Sequence, residues 1–199
     1  MSETIGLDPG TTMGAYVVMG NDEIPLDYSS WKSDNSVSGW AYVSAAAKKV
    51  GAAYPDAHLF YEMPFIQYYV RGGTSEEKIQ ELAGKMRKGG AVHLPGGYSK
   101  TSLDLSECVG AFKCQFPMAA DPLPPSEWRR TLGIVGQKGK TDWKQVAMDW
   151  ALEYLQTNRS PVGSRMAVAI ARGNSHIADA LCVCLAGKRK YTGKCEVIL

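Results

Sequence analysis

The segment Thr4-Ile5-Gly6-Leu7-Asp8-Pro9-Gly10-Thr11-Thr12 decides the expected fold of this chain. A short, mostly apolar run ends in a carboxylate, and Pro-Gly follows immediately. This pattern predicts a buried strand with Asp8 at its carboxyl end and a turn directly after it. The patterns of Gly14–Met19 and Ile24–Trp31 predict two further strands. The chain is therefore expected to begin as a β-meander.

The rest of the chain alternates between helical and strand patterns. Ser38–Ala53 is rich in alanine and has its apolar residues on one face, which predicts a helix that Pro55 ends. The other predicted elements are a strand at His58–Met63, helices at Ser75–Lys88 and Leu103–Phe116, a strand within Pro117–Pro125, and helices at Ser126–Leu132, Thr141–Leu155 and Ser175–Ala186. This order predicts an α/β fold in which a mixed sheet is flanked by helices. Residues 1–199 fit one domain, with the irregular stretch 64–102 as an extended insertion.

Composition limits the classes of protein to consider. No apolar run approaches the ~18 residues of a membrane span, and no basic-then-apolar leader is visible at the N-terminus. The five cysteines form no CxxC pair and are odd in number, which argues against a zinc knuckle or a disulfide framework and for a reducing compartment. Residues 1–70 carry three Lys and Arg against eight Asp and Glu, whereas the remainder is basic. This asymmetry suits a metal-binding cleft in a polyanion-binding surface, although ordinary surface charge is as good an interpretation.

Four polar residues in mostly apolar surroundings are the candidates for chemistry. Asp8 ends a strand at the sheet edge where α/β proteins bind ligands, or it caps the Pro-Gly bend. Glu62 lies in Leu-Phe-Tyr-Glu-Met, where burial needs a compensating charge, unless its side chain faces solvent. His176 and Asp179 share one face of a helical first turn, or Ser175 or Asp179 simply caps that turn. Together the four would suit Mg²⁺ or Mn²⁺, and two such ions about 4 Å apart hydrolyse phosphodiesters.

Three motifs resemble, in the right order, those of RuvC-type Holliday junction resolvases of the RNase H-like superfamily. They are Ile5-Gly6-Leu7-Asp8-Pro9-Gly10-Thr11-Thr12 with Gly14, Tyr61-Glu62-Met63-Pro64-Phe65, and His176-Ile177-Ala178-Asp179-Ala180, the last with histidine three residues before the aspartate. The resemblance implies an RNase H-like fold with a five-stranded sheet, a homodimer, and two Mg²⁺ ions per active site, for which Mn²⁺ can substitute. It also implies that Asp8 bridges both ions while Glu62, His176 and Asp179 complete their ligand shells. The implied reaction is paired nicking of four-way DNA junctions to leave 5′-phosphates.

The resemblance also suggests which residues bind DNA. Phe65 matches the aromatic residue that stacks into the opened junction, and Tyr68 and Tyr69 could share that role beside Arg71. A packed core aromatic is the alternative for Phe65. A second, basic set surrounds a Gly-rich loop and the helix after it: Arg129, Arg130, Lys138, Lys140 and Lys144.

Two departures from the resemblance stand out. The family usually has lysine two residues before Gln145, where this chain has Trp143. Either Lys140 or Lys144 could substitute and approach the scissile phosphate. The stretch between Glu62 and the helix at Leu103 is also longer than expected of bacterial members. Both departures favour a divergent, phage-like or organelle-like member.

Three other functions compete with junction cleavage. An RNase H-like nuclease for flaps, RNA–DNA hybrids or structured RNA would use the same residues. An actin-like ATP-binding protein shares the Asp-x-Gly-Thr-Thr pattern, but such folds are longer and need phosphate and adenosine motifs that are missing here. A binding-only module would not need the full acidic set. The expected compartment is the cytoplasm of a bacterium or of a phage-infected host, or an organelle in the case of an organellar member.

Overall fold

The protein is described here by a computed structural model, which covers residues 3–10, 12–33, 39–62, 100–116, 120–135 and 142–193. Five strands form one mixed sheet in the order β3-β2-β1-β4-β5. Neighbours in the meander β1–β3 are antiparallel, whereas β4 and β5 join parallel to β1 and to each other. The strands are β1 Thr4–Asp8, β2 Met13–Met19, β3 Pro25–Lys32, β4 His58–Glu62 and β5 Ala120–Leu123.

Helices cover both faces of this sheet. The helices are α1 Gly39–Ala53, α2 Lys100–Lys113, α3 Pro125–Thr131, α4 Trp143–Thr157, α5 Pro161–Ala171 and α6 Ser175–Thr192. On one face, α1 and α2 pack on β1 residues Ile5 and Leu7. On the other face, α6, which is buried through its middle, lies across β1 and β2 and is itself covered by α3, α4 and α5. The predicted fold class, an RNase H-like mixed five-stranded sheet flanked by helices, is confirmed.

Gly6 allows α6 to lie directly on β1. A Cβ atom at position 6 would collide with the backbone carbonyl oxygen of Ala180 and the backbone nitrogen of Cys184. Because glycine has no Cβ, the strand and the helix approach backbone to backbone. The helix meets the strand two residues before Asp8, so its first turn lies near the carboxyl end of β1.

The structure differs from the predicted elements in three places. Helix α5 was not predicted, α6 continues six residues beyond Ala186, and α2 begins at Lys100 rather than Leu103. Ser160 caps α5 by accepting a hydrogen bond from the backbone N–H of Gly163, and Pro161 follows at the first helical position. The predicted helix Ser75–Lys88 and nearly all of the expected insertion 64–102 lie outside the described residues. Within the described ranges, no helix is both long enough and apolar enough to cross a membrane.

Candidate active site

Asp8 and Glu62 lie at the carboxyl ends of two adjacent parallel strands and face the same side of the sheet. The register pairs Leu7 with Tyr61, so the two acids follow one residue later on each strand. Asp8 pairs with Ala15, Glu62 pairs with Leu123, and both partners belong to the core beneath α6. Directly paired residues share a face, so both carboxylates lie on the α6 side. The alternative in which Glu62 faces away from Asp8 is therefore wrong.

The first turn of α6 brings the two other candidates to this edge. Nδ1 of His176 lies 2.6 Å from Oδ2 of Asp8, and their side chains are 26% and 14% exposed. The cap is neither Ser175 nor Asp179. Asn174 caps the helix: its side-chain oxygen accepts from the backbone N–H of Ile177, and its amide nitrogen donates to the hydroxyl of Ser30 on β3. The helix start is thus tied to the sheet by a residue outside the acidic set.

The turn after Asp8 is also anchored. The indole nitrogen of Trp31 donates to the backbone oxygen of Gly10 over 2.7 Å, and the thiol of Cys108 approaches the same oxygen. A Cβ at Gly10 would collide with the backbone oxygen of Met13. The Pro-Gly bend therefore has a packing reason for its glycine, and it orients the end of β1 on which Asp8 lies.

Burial raises the pKa of all three carboxyl groups, and neighbouring carboxylates raise the pKa of Glu62 and Asp179 further. Burial raises the pKa of Glu62 well above its ordinary value, and the charges of Asp8 and Asp179 raise it further. Burial and the charge of Asp8 raise the pKa of Asp179 to about 7. Burial also raises the pKa of Asp8, an effect that the His176 hydrogen bond partly offsets, while that bond raises the pKa of His176. Buried acids that repel each other in this way are stabilised by a cation.

The four side chains have the ligand atoms and the negative charge that a divalent cation needs. Three carboxylates and one imidazole are the ligands that Mg²⁺ and Mn²⁺ accept. Within the described residues, however, no three His, Cys, Asp or Glu side chains are already arranged to hold an ion. Asp8 is engaged by His176 instead, so metal binding would require this pair to rearrange.

Two residues of the predicted basic set, Arg129 and Lys144, act on these acids through their charge. Arg130 and Lys144 are exposed, and Arg129 is partly buried. The charge of Arg129 lowers the pKa of both Glu62 and Asp179, and the charge of Lys144 lowers that of Asp8 and Asp179. The other predicted DNA-binding residues lie outside the described residues: Phe65, Tyr68, Tyr69, Arg71, Lys138 and Lys140.

Several contacts and residues near the site were not predicted from the sequence. Trp128 and Trp143 flank Arg129, with ring centroids 4.9 Å and 4.4 Å from its guanidinium carbon. The cap residue Asn174 was missed although Asn before an apolar helix is a standard start signal. Two exposed arginines precede the first turn of α6: Arg165 on α5, and Arg172 directly after the end of α5.

Comparison with known proteins bears on the fold. The chain has a RuvC-like fold. It superimposes on the structure of Thermus thermophilus RuvC in complex with a Holliday junction substrate with a TM-score of 0.58 and 14% sequence identity, covering 97% of each chain. A second Thermus thermophilus RuvC structure gives a TM-score of 0.59, also with 14% identity, over 96% of each chain. No protein-family model matches the sequence, and no curated protein sequence matches it. The similarity to RuvC therefore lies in the three-dimensional fold.

Proposed function

We propose that this protein is a divalent-metal-dependent endonuclease that resolves four-way DNA junctions. The observation that carries the proposal is the convergence of Asp8, Glu62, His176 and Asp179 at one edge of a RuvC-like sheet. These residues come from three separate elements. The T. thermophilus RuvC structure that the chain resembles is a complex with a Holliday junction, which supports the choice of substrate.

The acidic residues would hold two Mg²⁺ ions, with Mn²⁺ as a substitute. The residues that would hold these ions are Asp8, Glu62, His176 and Asp179. Such ions activate a water and stabilise the leaving oxygen in phosphodiester hydrolysis. The protein's own contribution is to hold three carboxylates where bulk water is scarce and their mutual repulsion favours cation binding.

The basic residues would position the DNA. The charges of Arg129 and Lys144 act on the acidic site, and Arg130, next to Arg129 in the chain, is exposed. Phosphate contacts from such residues fix the register of a nucleic acid without reading its sequence. Lys138, Lys140 and Arg71 are proposed to extend this surface. Phe65, with Tyr68 and Tyr69, is proposed to stack on bases in the opened junction, because base–aromatic stacking tolerates any sequence.

The protein is proposed to act as a homodimer. A four-way junction is cut symmetrically on two strands, and a two-fold dimer supplies two equivalent active sites in one particle. Sedimentation of the free protein and of its junction complex measures this directly. A single protomer bound to each junction would contradict the dimer.

The deciding experiment compares substrates in Mg²⁺. A four-way junction, a flap, a splayed arm, a linear duplex and an RNA–DNA hybrid are each incubated with the wild-type protein and with Asp8→Asn. The proposal requires paired nicks in the junction that Asp8→Asn abolishes. Preferred cleavage of flaps or hybrids would instead indicate an RNase H-like nuclease of another specificity, and no cleavage of any substrate would reject a nuclease function.

A further inference from the structure

The guanidinium of Arg129 lies between two tryptophan rings. Its central carbon is 4.4 Å from the ring centroid of Trp143 and 4.9 Å from that of Trp128. Arginine stacks on indole more readily than lysine does, because its charge is spread over a flat and weakly hydrated group. The two contacts therefore restrict the motion of this long side chain.

The two rings are themselves held by the core. Trp128 is 1% exposed and lies on α3, which packs against α6. Trp143 is partly buried against the same core and is the first residue of α4. Asp142 caps that helix by accepting from the backbone N–H groups of Lys144 and Gln145, which fixes the position of Trp143. Arg129 thus lies between two anchored rings from different helices.

The charge of Arg129 acts on the acidic site. It lowers the pKa of Glu62 and of Asp179, residues on β4 and α6 respectively. The guanidinium is therefore near the edge of the sheet where the carboxylates converge. An arginine side chain stays protonated at any physiological pH. At this edge of the sheet it can therefore donate charge-assisted hydrogen bonds to an approaching phosphate group.

Trp143 occupies the position at which the resemblance to resolvases leads one to expect lysine. An indole carries no positive charge, so Trp143 cannot take over the electrostatic role of a lysine. It does contact the one partly buried arginine of the basic set in the described residues. The guanidinium then comes from α3, and α4 contributes both the ring that holds it and the separate charge of Lys144.

We infer that Trp143 is a positioning residue, which holds the guanidinium of Arg129 beside the acidic site so that it meets a phosphate of the strand to be cut. This inference rests on the proposed nuclease function. Its distinctive consequence is that Trp143 affects cleavage only through Arg129. A residue that merely stabilised the fold would affect cleavage whether or not the arginine is present.

A double-mutant cycle tests this consequence. The variants are Trp143→Leu, Arg129→Gln, and the two combined, with Trp143→Phe as the conservative replacement that keeps an aromatic face. The measurements are the single-turnover cleavage rate of a four-way junction in Mg²⁺, junction affinity without Mg²⁺, and melting temperature. The matched control is Trp150→Leu, which removes a tryptophan two turns later on α4, where the ring stacks on Tyr154 and not on Arg129.

The expected result is strong coupling between Trp143 and Arg129. Trp143→Leu is expected to lower the cleavage rate about tenfold, a size consistent with losing one partly desolvated cation–π contact. In the Arg129→Gln background the same replacement should have almost no further effect. Trp143→Phe should recover most of the rate, and Trp150→Leu should lower the melting temperature without slowing cleavage.

Two different failures can be told apart. If wild-type protein cuts the junction and the two replacements lower the rate additively, Trp143 has only a structural role and the inference is overturned while the nuclease function stands. If wild-type protein cuts no substrate, the proposed function fails and the inference fails with it.

Discussion

His176 Nδ1 lies 2.6 Å from Oδ2 of Asp8, so the first strand of the sheet is bonded to the first turn of its last helix across 168 positions of sequence. The bond is made at the carboxyl end of β1, beside Glu62 on the neighbouring strand. It orients the Asp8 carboxylate and at the same time competes with any cation for one of its oxygens. Metal binding and the Asp8–His176 bond are therefore expected to be coupled.

Asp8→Asn is expected to abolish cleavage while leaving junction affinity within about twofold. The asparagine amide has no negative charge with which to bind a cation. The phosphate contacts that supply affinity for the junction come from other residues. We expect the cleavage rate to fall at least about 100-fold, the size seen when one electrostatic contact to a reacting group is lost. Single-turnover cleavage and a gel-shift titration without Mg²⁺ measure the two effects.

Asp56→Asn, at an exposed position before β4, is the control that should leave both the cleavage rate and the junction affinity unchanged. Parallel loss of binding and cleavage in Asp8→Asn would contradict the assignment.

Local pattern predicted most of the elements, and long-range packing decided the rest. Asp8 and Asp179 could be proposed as site residues from the sequence because each lies within a distinctive motif, Asp8 at the end of a predicted strand and Asp179 in a predicted helix. The side of the sheet on which Glu62 lies could not be found from Leu-Phe-Tyr-Glu-Met, because burial is similar on both faces of β4 and only its pairing with Leu123 decides it. Helix α5 was detectable from Ser160-Pro161 followed by buried Met166 and Ile170 at helical spacing.

The Arg129–Trp143 contact shows what sequence patterns leave out. The two residues belong to different helices, and the segment between them contains the Gly-rich loop, for which no repeating pattern sets a spacing. Trp143 was visible only as a departure from an expected lysine. The partner that gives this tryptophan a role comes from the way α3 and α4 pack on α6.

The metal-free protein is expected to lose stability as pH rises from about 4 to about 7. The pKa of Asp179 is about 7 in the folded protein against an ordinary value of 3.8, so in this range the folded state binds protons that the unfolded chain has released. The contribution of Asp179 to the free energy of unfolding therefore falls as the pH rises and levels off above about 7. The raised pKa of His176 acts in the same direction. Urea denaturation in EDTA at a series of pH values measures the slope, which Asp179→Asn should flatten. An equal slope in that variant would show that the acidic site is not its source.

Glu62→Gln is expected to stabilise the metal-free protein at pH 8 and to reduce its response to Mg²⁺. The replacement removes a buried charge that Asp8 and Asp179 repel. A gain of about 1 kcal/mol corresponds to a melting temperature about 2–4 °C higher for a chain of this size. Wild-type protein should gain several degrees on addition of Mg²⁺, because a ligand that binds only the folded state stabilises it. Thermal melts with and without Mg²⁺ decide the point, and Asp56→Asn should behave as wild type. An equal Mg²⁺ shift in Glu62→Gln would place the cation elsewhere.

Gly6→Ala is expected to damage both stability and cleavage, since the added methyl group meets the backbone of α6 at Ala180 and Cys184. Backbone atoms cannot move aside as a flexible side chain can, so the helix must shift away from β1. Overpacking of this kind costs about 1–3 kcal/mol. The same shift would move His176 and Asp179 away from Asp8, so cleavage should slow even at temperatures where the variant remains folded.

Gly110→Ala is the matched control, because a Cβ at that position in α2 meets nothing within 4 Å and alanine favours helix. The control should be as stable as wild type or more so, with unchanged cleavage. Full activity in a folded Gly6→Ala protein would show that the close approach of β1 and α6 does not set the geometry of the site.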